Sequence, residues 1–110
     1  MRILVVFNLK SGINKAEYEA WAKSADIPTV RSLGSINSFD IYRSTSLLGS
    51  EEVPPYSYVE LIDVGDETGF SKDINTPQMQ KIAAQFQQFA DNPQFIVMQN
   101  IIQTPWPEQP

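Results

Sequence analysis

The sequence predicts a single α+β domain of the ferredoxin-like class, with strands and helices in the order β-α-β-β-α-β. Two segments repeat their apolar residues with the period of an amphipathic helix. Four short segments rich in branched and aromatic residues are predicted strands. Their order along the chain is that of the split βαβ motif, in which both helices cover one face of an antiparallel four-stranded sheet.

The first strand and the first helix are predicted from the N-terminal third of the chain. Arg2 to Asn8 is apolar on both alternating faces, which indicates a strand covered on both sides. Asn14 can cap the helix that follows. We expect this helix to end at Asp26, because Pro28 disfavours the helical conformation of the residue before it, and a short second turn to follow over residues 29–33. The apolar stripe of the helix consists of Tyr18, Trp21, Ala22 and Ala25.

The remaining three strands are predicted over residues 35–46, 56–64 and 95–104, with a proline-containing loop before the third strand. Alternation along the third strand places Tyr58 and Glu60 on the same face. The domain is therefore expected to span residues 1–104. Residues 105–110 form a tail rich in proline, which does not join a strand ladder easily.

The second helix has the clearest period in the sequence. Thr76 is suited to cap it and Pro77 to occupy its first turn, and Asn92-Pro93 is expected to end it. A short helical turn is predicted just before it, over Glu67 to Asp73. The apolar stripe consists of Met79, Ile82, Ala83, Phe86, Phe89 and Ala90, of which Phe86 and Phe89 are read as core residues only.

Composition excludes several classes of function. The formal net charge is −5 and the eight basic residues are scattered, so neither nucleic acid nor an anionic membrane surface is an expected partner. The chain has no histidine and no cysteine, which removes the usual ligands of zinc and haem, so we expect no metal and no cofactor. The absence of cysteine fits a reducing compartment, and we expect a cytoplasmic protein.

Two helices leave the other face of the predicted sheet uncovered. The first and last strands carry large apolar residues on both faces. On a monomer the uncovered face would therefore expose a large apolar patch to water. We therefore expect a homodimer in which two sheets face each other, with Tyr58 and Glu60 lining the remaining space. The tail that carries Trp106 either packs across the partner subunit or is frayed.

A resemblance to a known family adds to this reading. The segment from Tyr18 to Arg43 contains Tyr18-x-x-Trp21, the run Ala25 to Arg31, and Ser38-Phe39-x-x-Tyr42-Arg43. With the amphipathic segment Met79 to Asn92, it resembles the dimeric α/β-barrel superfamily, and within it the REDY-like, or HapK-type, family linked to prodigiosin-type red-pigment biosynthesis. The resemblance implies a barrel-forming homodimer. The superfamily includes cofactor-free monooxygenases, cyclases and isomerases, so it does not name one reaction.

The sequence departs from many EthD-like relatives at one position. Those relatives carry a histidine just before an x-Pro pair at the end of the first helix, where this chain has Asp26. A carboxylate cannot ligate haem as histidine does, so this departure argues against haem degradation. It leaves acid–base chemistry open.

Four residues are candidate catalytic groups. Asp26 and Glu60 are candidate general bases, and Tyr58 and Arg43 are candidates to stabilise an oxyanion. Each has a structural alternative. Asp26 could bond the amides of the following turn, Glu60 could pair with an arginine across the dimer, Tyr58 could be packing, and Arg43 could be a surface ion-pair partner.

Three further residues are candidate ligand contacts: Trp21, Tyr42 and Asn100. Trp21 is otherwise a core aromatic of the first helix. Tyr42 is expected to join Tyr58 and Glu60 from the second strand, and Asn100 interrupts the apolar fourth strand. Arg31 is a weaker candidate than Arg43 for holding an anionic oxygen.

Two classes of function follow from these residues. In the first, the protein binds a small, flat, largely apolar molecule between sheet and helices, and either transforms it by cofactor-free oxidation, cyclisation or isomerisation or merely carries it. In the second, the domain is a self-association or regulatory module. The position of Tyr58, Glu60, Arg43 and Asn100 separates the two, because only a ligand site needs them to converge on a closed cavity.

Overall fold

The computed structural model describes residues 1–102 and confirms the ferredoxin-like α+β fold. The predicted tail at residues 105–110 lies outside the described residues. No helix within residues 1–102 is long and apolar enough to cross a membrane. The elements are β1 (Arg2–Leu9), α1 (Lys15–Trp21), a π-helical segment (Ala22–Asp26), α2 (Ile27–Arg31), β2 (Ile36–Arg43), β3 (Tyr58–Val64), α3 (Glu67–Asp73), α4 (Pro77–Phe89) and β4 (Ala90–Met98).

The four strands form one antiparallel sheet in the order β2-β3-β1-β4. The register places Tyr58 of β3 opposite Phe7 of β1, and Glu60 opposite Val5. Directly opposed residues in a sheet share a face. Because Val5 and Phe7 belong to the core beneath the helices, Tyr58 and Glu60 face the helices as well.

The expectation that Tyr58 and Glu60 line a space between two sheets is therefore wrong. They lie on the helix side of the sheet and are 1% and 5% exposed. The physical reason is that the large side chain of Tyr58 fills an aromatic core with Phe7 and Tyr18. The uncovered face instead carries the alternate residues of the strands, among them Leu4, Val59, Leu61, Ile96 and Met98.

The first helix does not end at Asp26 as predicted. It passes through the π-helical segment into α2, and the N–H of Ile27 donates to the carbonyl of Ala22, five residues back. Pro28 has no N–H to donate and its ring would crowd a regular turn, so the wider π turn accommodates it within a continuous helix. The Asn14 cap is confirmed, because its side chain accepts from the N–H of Glu17.

The second half of the fold follows the prediction except at β4. The short helix over Glu67–Asp73 is confirmed, and Thr76 caps α4 by accepting from the N–H of Met79. The last strand begins at Ala90 and ends at Met98, not over residues 95–104. β4 lies at the edge of the sheet, where Pro93 is tolerated because no ladder N–H is required of it.

Candidate functional site

A cavity of about 200 Å³ lies between the helices and the sheet. Its walls come from the π-helical segment, α2, α3, α4 and all four strands, and most of the side chains are apolar. Two acidic side chains, Asp26 and Glu60, interrupt the apolar wall, and no lysine or arginine of residues 1–102 lines it. The lining residues are Ile3, Asp26, Val30, Leu33, Phe39, Glu60, Ile62, Phe70, Ile74, Met79, Ile82, Ala83, Phe86, Gln87 and Phe95.

The π-helical segment places Asp26 on the cavity wall. Tyr18, Ala22, Asp26 and Val30 are all buried and follow one another at intervals of four residues. In a regular α-helix each such step overshoots a full turn by about 40°, so the last residue would rotate away from the first. The π turn takes more residues per turn and reduces this drift. Asp26 therefore stays on the buried side of the helix, in line with Tyr18.

Asp26 is 4% exposed and makes no side-chain cap hydrogen bond. The alternative role predicted for it, bonding the amides of the next turn, is therefore wrong. Burial raises the pKa of Asp26 from its ordinary 3.8 to about 7, because a charged carboxylate is poorly solvated there. At neutral pH this carboxyl group exchanges between its acid and its base form.

Glu60 reaches the same cavity from the middle of β3. Burial raises its pKa well above the ordinary value, and the nearby Asp26 carboxylate raises it further. Its Oε2 atom is buried and has no hydrogen-bond partner within the described residues. The hydroxyl of Tyr18, also buried and without a partner there, lies close enough to feel the charge of both acids. Two carboxyl groups thus share an apolar cavity whose mouth opens to solvent beside Ile74 and Phe95, both exposed side chains of the lining.

Tyr58 and Arg43 lie apart from this acid pair. The Tyr58 hydroxyl donates to Glu19 Oε2 at 2.7 Å, and Arg43 contacts both Glu19 oxygens at 2.6 and 2.8 Å. These hydrogen bonds, that of Arg43 above all, lower the pKa of Glu19 to about 2. The Glu19–Arg43–Tyr58 cluster lines a separate depression at the end of the sheet and joins α1 to β2 and β3. The Tyr58 hydroxyl and two nitrogens of the Arg43 guanidinium all donate to Glu19.

The sequence matches a family model described as REDY-like protein HapK over residues 1–101. The chain belongs to this family. The suspected resemblance is therefore confirmed along nearly the whole length of the protein. No protein with a curated description matches the sequence.

Solved structures similar to this HapK-family chain have the same fold at low identity. HapK from Hahella chejuensis is 21% identical with a TM-score of 0.70, covering 99% of this chain and 100% of that one. A dimeric ferredoxin-like protein of unknown function from Thermobifida fusca is 12% identical with a TM-score of 0.68, covering 86% and 85%. A putative antibiotic biosynthesis monooxygenase from Bacteriodes thetaiotaomicron is 16% identical with a TM-score of 0.71, covering 98% and 95%.

The remaining candidates of this HapK-family protein do not line the cavity. Of Tyr58, Glu60, Arg43 and Asn100, Glu60 alone reaches it, so the four do not converge there as a ligand site was expected to require. Tyr42 is opposite Val59, so it lies on the uncovered face and does not join Tyr58 and Glu60. Asn100 follows the end of β4 and is exposed, and its side chain accepts from the N–H of Ile102. Trp21 is half-buried and its Nε1 donates to Gln85 Oε1. Arg31 is exposed and pairs with Asp40 at 2.9 Å on the surface.

Two functional features of this HapK-family site were missed by sequence patterns. Glu19 lies four residues before Lys23, a spacing that favours an ion pair within the helix, whereas it binds Arg43 and Tyr58 across the fold, which no local pattern reveals. Gln87 on α4 adds an amide to the cavity wall. Among residues 1–102, no group of three acidic side chains is arranged to hold a metal ion.

Proposed function

We propose that this protein binds a small, largely apolar molecule in the cavity between helices and sheet, and that Asp26 and Glu60 transfer protons on it. The observation that carries the proposal is the pair of buried carboxyl groups on an otherwise apolar wall. Burying two acids without a cation costs stability, and apolar residues would pack the same space more favourably. Groups of this kind with perturbed pKa values are typical of functional sites.

The acid pair is suited to acid–base chemistry near neutral pH. Because like charges oppose each other, the second carboxyl group ionises less readily than the first. One group then holds a proton that it can donate, while the other can accept one. Such a pair could remove a proton from a carbon next to a carbonyl and protonate the carbonyl oxygen, so that no external oxyanion donor is needed. Isomerisation or cyclisation requires only these proton transfers, which favours them over oxidation.

The family match supports a role for this activity in secondary metabolism. We propose a role in the biosynthesis of a prodigiosin-type pigment or a related product, since the REDY-like family resembled by the sequence is linked to such a pathway. The fold likeness to a putative antibiotic biosynthesis monooxygenase supports the same class of product. The absence of cysteine supports a reducing compartment such as the cytoplasm.

We also propose that the protein is a homodimer joined through the uncovered sheet face. That face carries large apolar side chains, including Leu4, Leu61 and Ile96, the last of which is 42% exposed. A contiguous apolar face of this kind is unfavourable in water and is commonly covered by a second subunit. The similar protein from Thermobifida fusca is dimeric. Dimerisation alone would also serve a self-association module, which is the competing function.

Native mass spectrometry of the freshly purified protein tests the ligand and the dimer together. We expect a dimer mass with a small added molecule that is lost on denaturation. Ala83→Phe should reduce or abolish the added mass because Ala83 lines the cavity at its exposed rim, whereas the matched control Ala84→Phe, on the same helix but outside the lining, should retain it. A ligand retained by Ala83→Phe would place binding elsewhere.

Turnover of the captured molecule then separates catalysis from carriage. Asp26→Asn and Glu60→Gln keep the shape of each side chain but remove its titratable proton. We expect each variant to bind the molecule and to convert it at least ~100-fold more slowly, the usual contribution of a positioned acid or base. Unchanged conversion would exclude the acid–base role. Binding without any conversion by the wild type would identify a carrier.

A further inference from the structure

The size of the cavity limits what can enter it. An apolar cavity of roughly 150 Å³ is large enough to bind benzene. The volume of about 200 Å³ found here exceeds that by little, so it accommodates one ring with small substituents. Phe39, Phe86 and Phe95 on its wall provide the edge and face contacts that aromatic rings favour.

A buried, unpartnered carboxyl oxygen on the wall indicates a hydrogen-bond donor on the ligand. Glu60 Oε2 is buried and accepts no hydrogen bond within residues 1–102, while the residue is 5% exposed. Buried polar atoms are normally paired, so an orphaned oxygen that lines a cavity indicates that a bound molecule completes it. In its acid form a carboxyl group carries its proton on one oxygen and accepts on the other, so with the proton on Oε1 the Oε2 atom is satisfied by an N–H or O–H group of that molecule.

The charges around the cavity define the third property of the ligand. Asp26 and Glu60 are the charged side chains of the described lining, and neither is balanced there by lysine or arginine. An anionic ligand would bring a further negative charge into an apolar enclosure with two acids, which is strongly unfavourable. The site therefore selects against carboxylates and phosphates.

We infer that the cavity binds a non-anionic single-ring aromatic molecule whose N–H or O–H group donates to Glu60 Oε2. This inference rests on the proposed function and deepens it by naming the ligand class. The ring would lie among the phenylalanines, with its donor directed at β3 and its reactive atoms within reach of Asp26. The hydrogen bond to Glu60 then orients the ring, and apolar contact supplies most of the affinity.

Three probes of similar size test each property by calorimetry or ligand-observed NMR: phenol, toluene and benzoate. Toluene lacks the donor, and benzoate carries a negative charge. We expect the wild type to bind phenol and toluene and to show no binding of benzoate. Glu60→Met removes the acceptor at nearly constant volume, and should lower the ratio of phenol to toluene affinity by about fivefold, the net effect of a hydrogen bond between uncharged groups.

Glu52→Met is the matched control, because Glu52 is exposed in the loop before β3 and should leave the ratio unchanged. An unchanged ratio in Glu60→Met would overturn the donor inference while toluene binding still supported the cavity. Benzoate binding as tight as that of phenol would overturn the charge inference in the same way. If neither phenol nor toluene binds the wild type, the ligand class is wrong. A molecule captured by native mass spectrometry would then still support the proposed function. If no molecule is captured either, the proposed function is overturned as well.

Discussion

The buried carboxyl group of Asp26 should make the protein less stable as the pH rises from about 4 to about 7. In the unfolded chain Asp26 ionises near its ordinary pKa of 3.8, whereas in the folded protein it keeps its proton until about pH 7. Between these values the folded state binds the additional proton, so each increase in pH favours unfolding. Above about pH 7 both states are ionised and the cost is complete. The difference in pKa corresponds to about 4 kcal/mol.

Asp26→Asn removes this cost and isolates it. Relative to the wild type, the variant should gain up to about 4 kcal/mol of unfolding free energy at pH 8 and almost none near pH 4. Glu60 and Tyr18 face Asp26, and removing its charge also eases the ionisation of Glu60, which adds to the gain at high pH. Urea titration at both pH values measures the difference, with protein concentration held constant because dimerisation would contribute.

Asp91→Asn is the matched control, since Asp91 is exposed on β4. It should change the unfolding free energy little at either pH. The reasoning would be refuted by an Asp26→Asn variant no more stable than the wild type at pH 8. A gain of equal size at pH 4 and pH 8 would refute it too, because it would arise from packing and not from ionisation.

Three further predictions concern neighbouring features. Tyr18→Phe removes a buried hydroxyl without a partner and should raise the unfolding free energy in urea by about 1 kcal/mol; a loss would reveal a partner. The pKa of Glu19 is lowered to about 2, mainly by its hydrogen bond from Arg43, so its stabilisation holds above the ordinary pKa of 4.5 and is lost as the pH falls towards 2. Glu19→Gln should make stability less dependent on pH between about 4.5 and 2, as measured by acid unfolding followed by circular dichroism. An acid-unfolding curve identical to that of the wild type would contradict this. Leu61→Glu on the uncovered face should yield a monomer in light scattering, whereas Lys81→Glu on α4 should remain a dimer; a dimer in both would exclude that interface.

The fold could be predicted because its elements are encoded locally. The caps at Asn14 and Thr76 depend on neighbouring residues alone and are observed, and the predicted stripe from Met79 lies on α4 as far as Phe89, while its last member Ala90 begins β4. The start of β4 could not be found in this way. Ala90 to Pro93 resembles a helix end followed by a turn, yet pairing with β1 pulls it into the sheet, and Asn92 adopts a positive φ of 47° near the point where the register shifts.

Of the candidate site residues, Asp26 and Glu60 line the cavity, and their arrangement there could not be predicted from the sequence. Alternation places Tyr58 and Glu60 on one face of β3, but the apolar residues Val59 and Leu61 on the other face suggested the opposite burial. The choice is made by long-range packing of Tyr58 against Phe7 and Tyr18, which a local pattern does not contain. For Asp26 a signal did exist, since it follows Tyr18 by eight residues and continues the buried stripe.

The Glu19–Arg43–Tyr58 cluster has a practical consequence for engineering the protein. Arg43 and Tyr58 are opposite each other at the ends of β2 and β3, so the cluster closes the base of the loop formed by residues 44–57. Leu48 and Val53 in that loop are almost fully exposed, and no residue of the loop lines the cavity. Lengthening a loop with fixed ends costs only about 0.6 kcal/mol for each doubling. An affinity handle or a reporter domain inserted near Gly49 would therefore project from the rim while the ligand cavity keeps its shape.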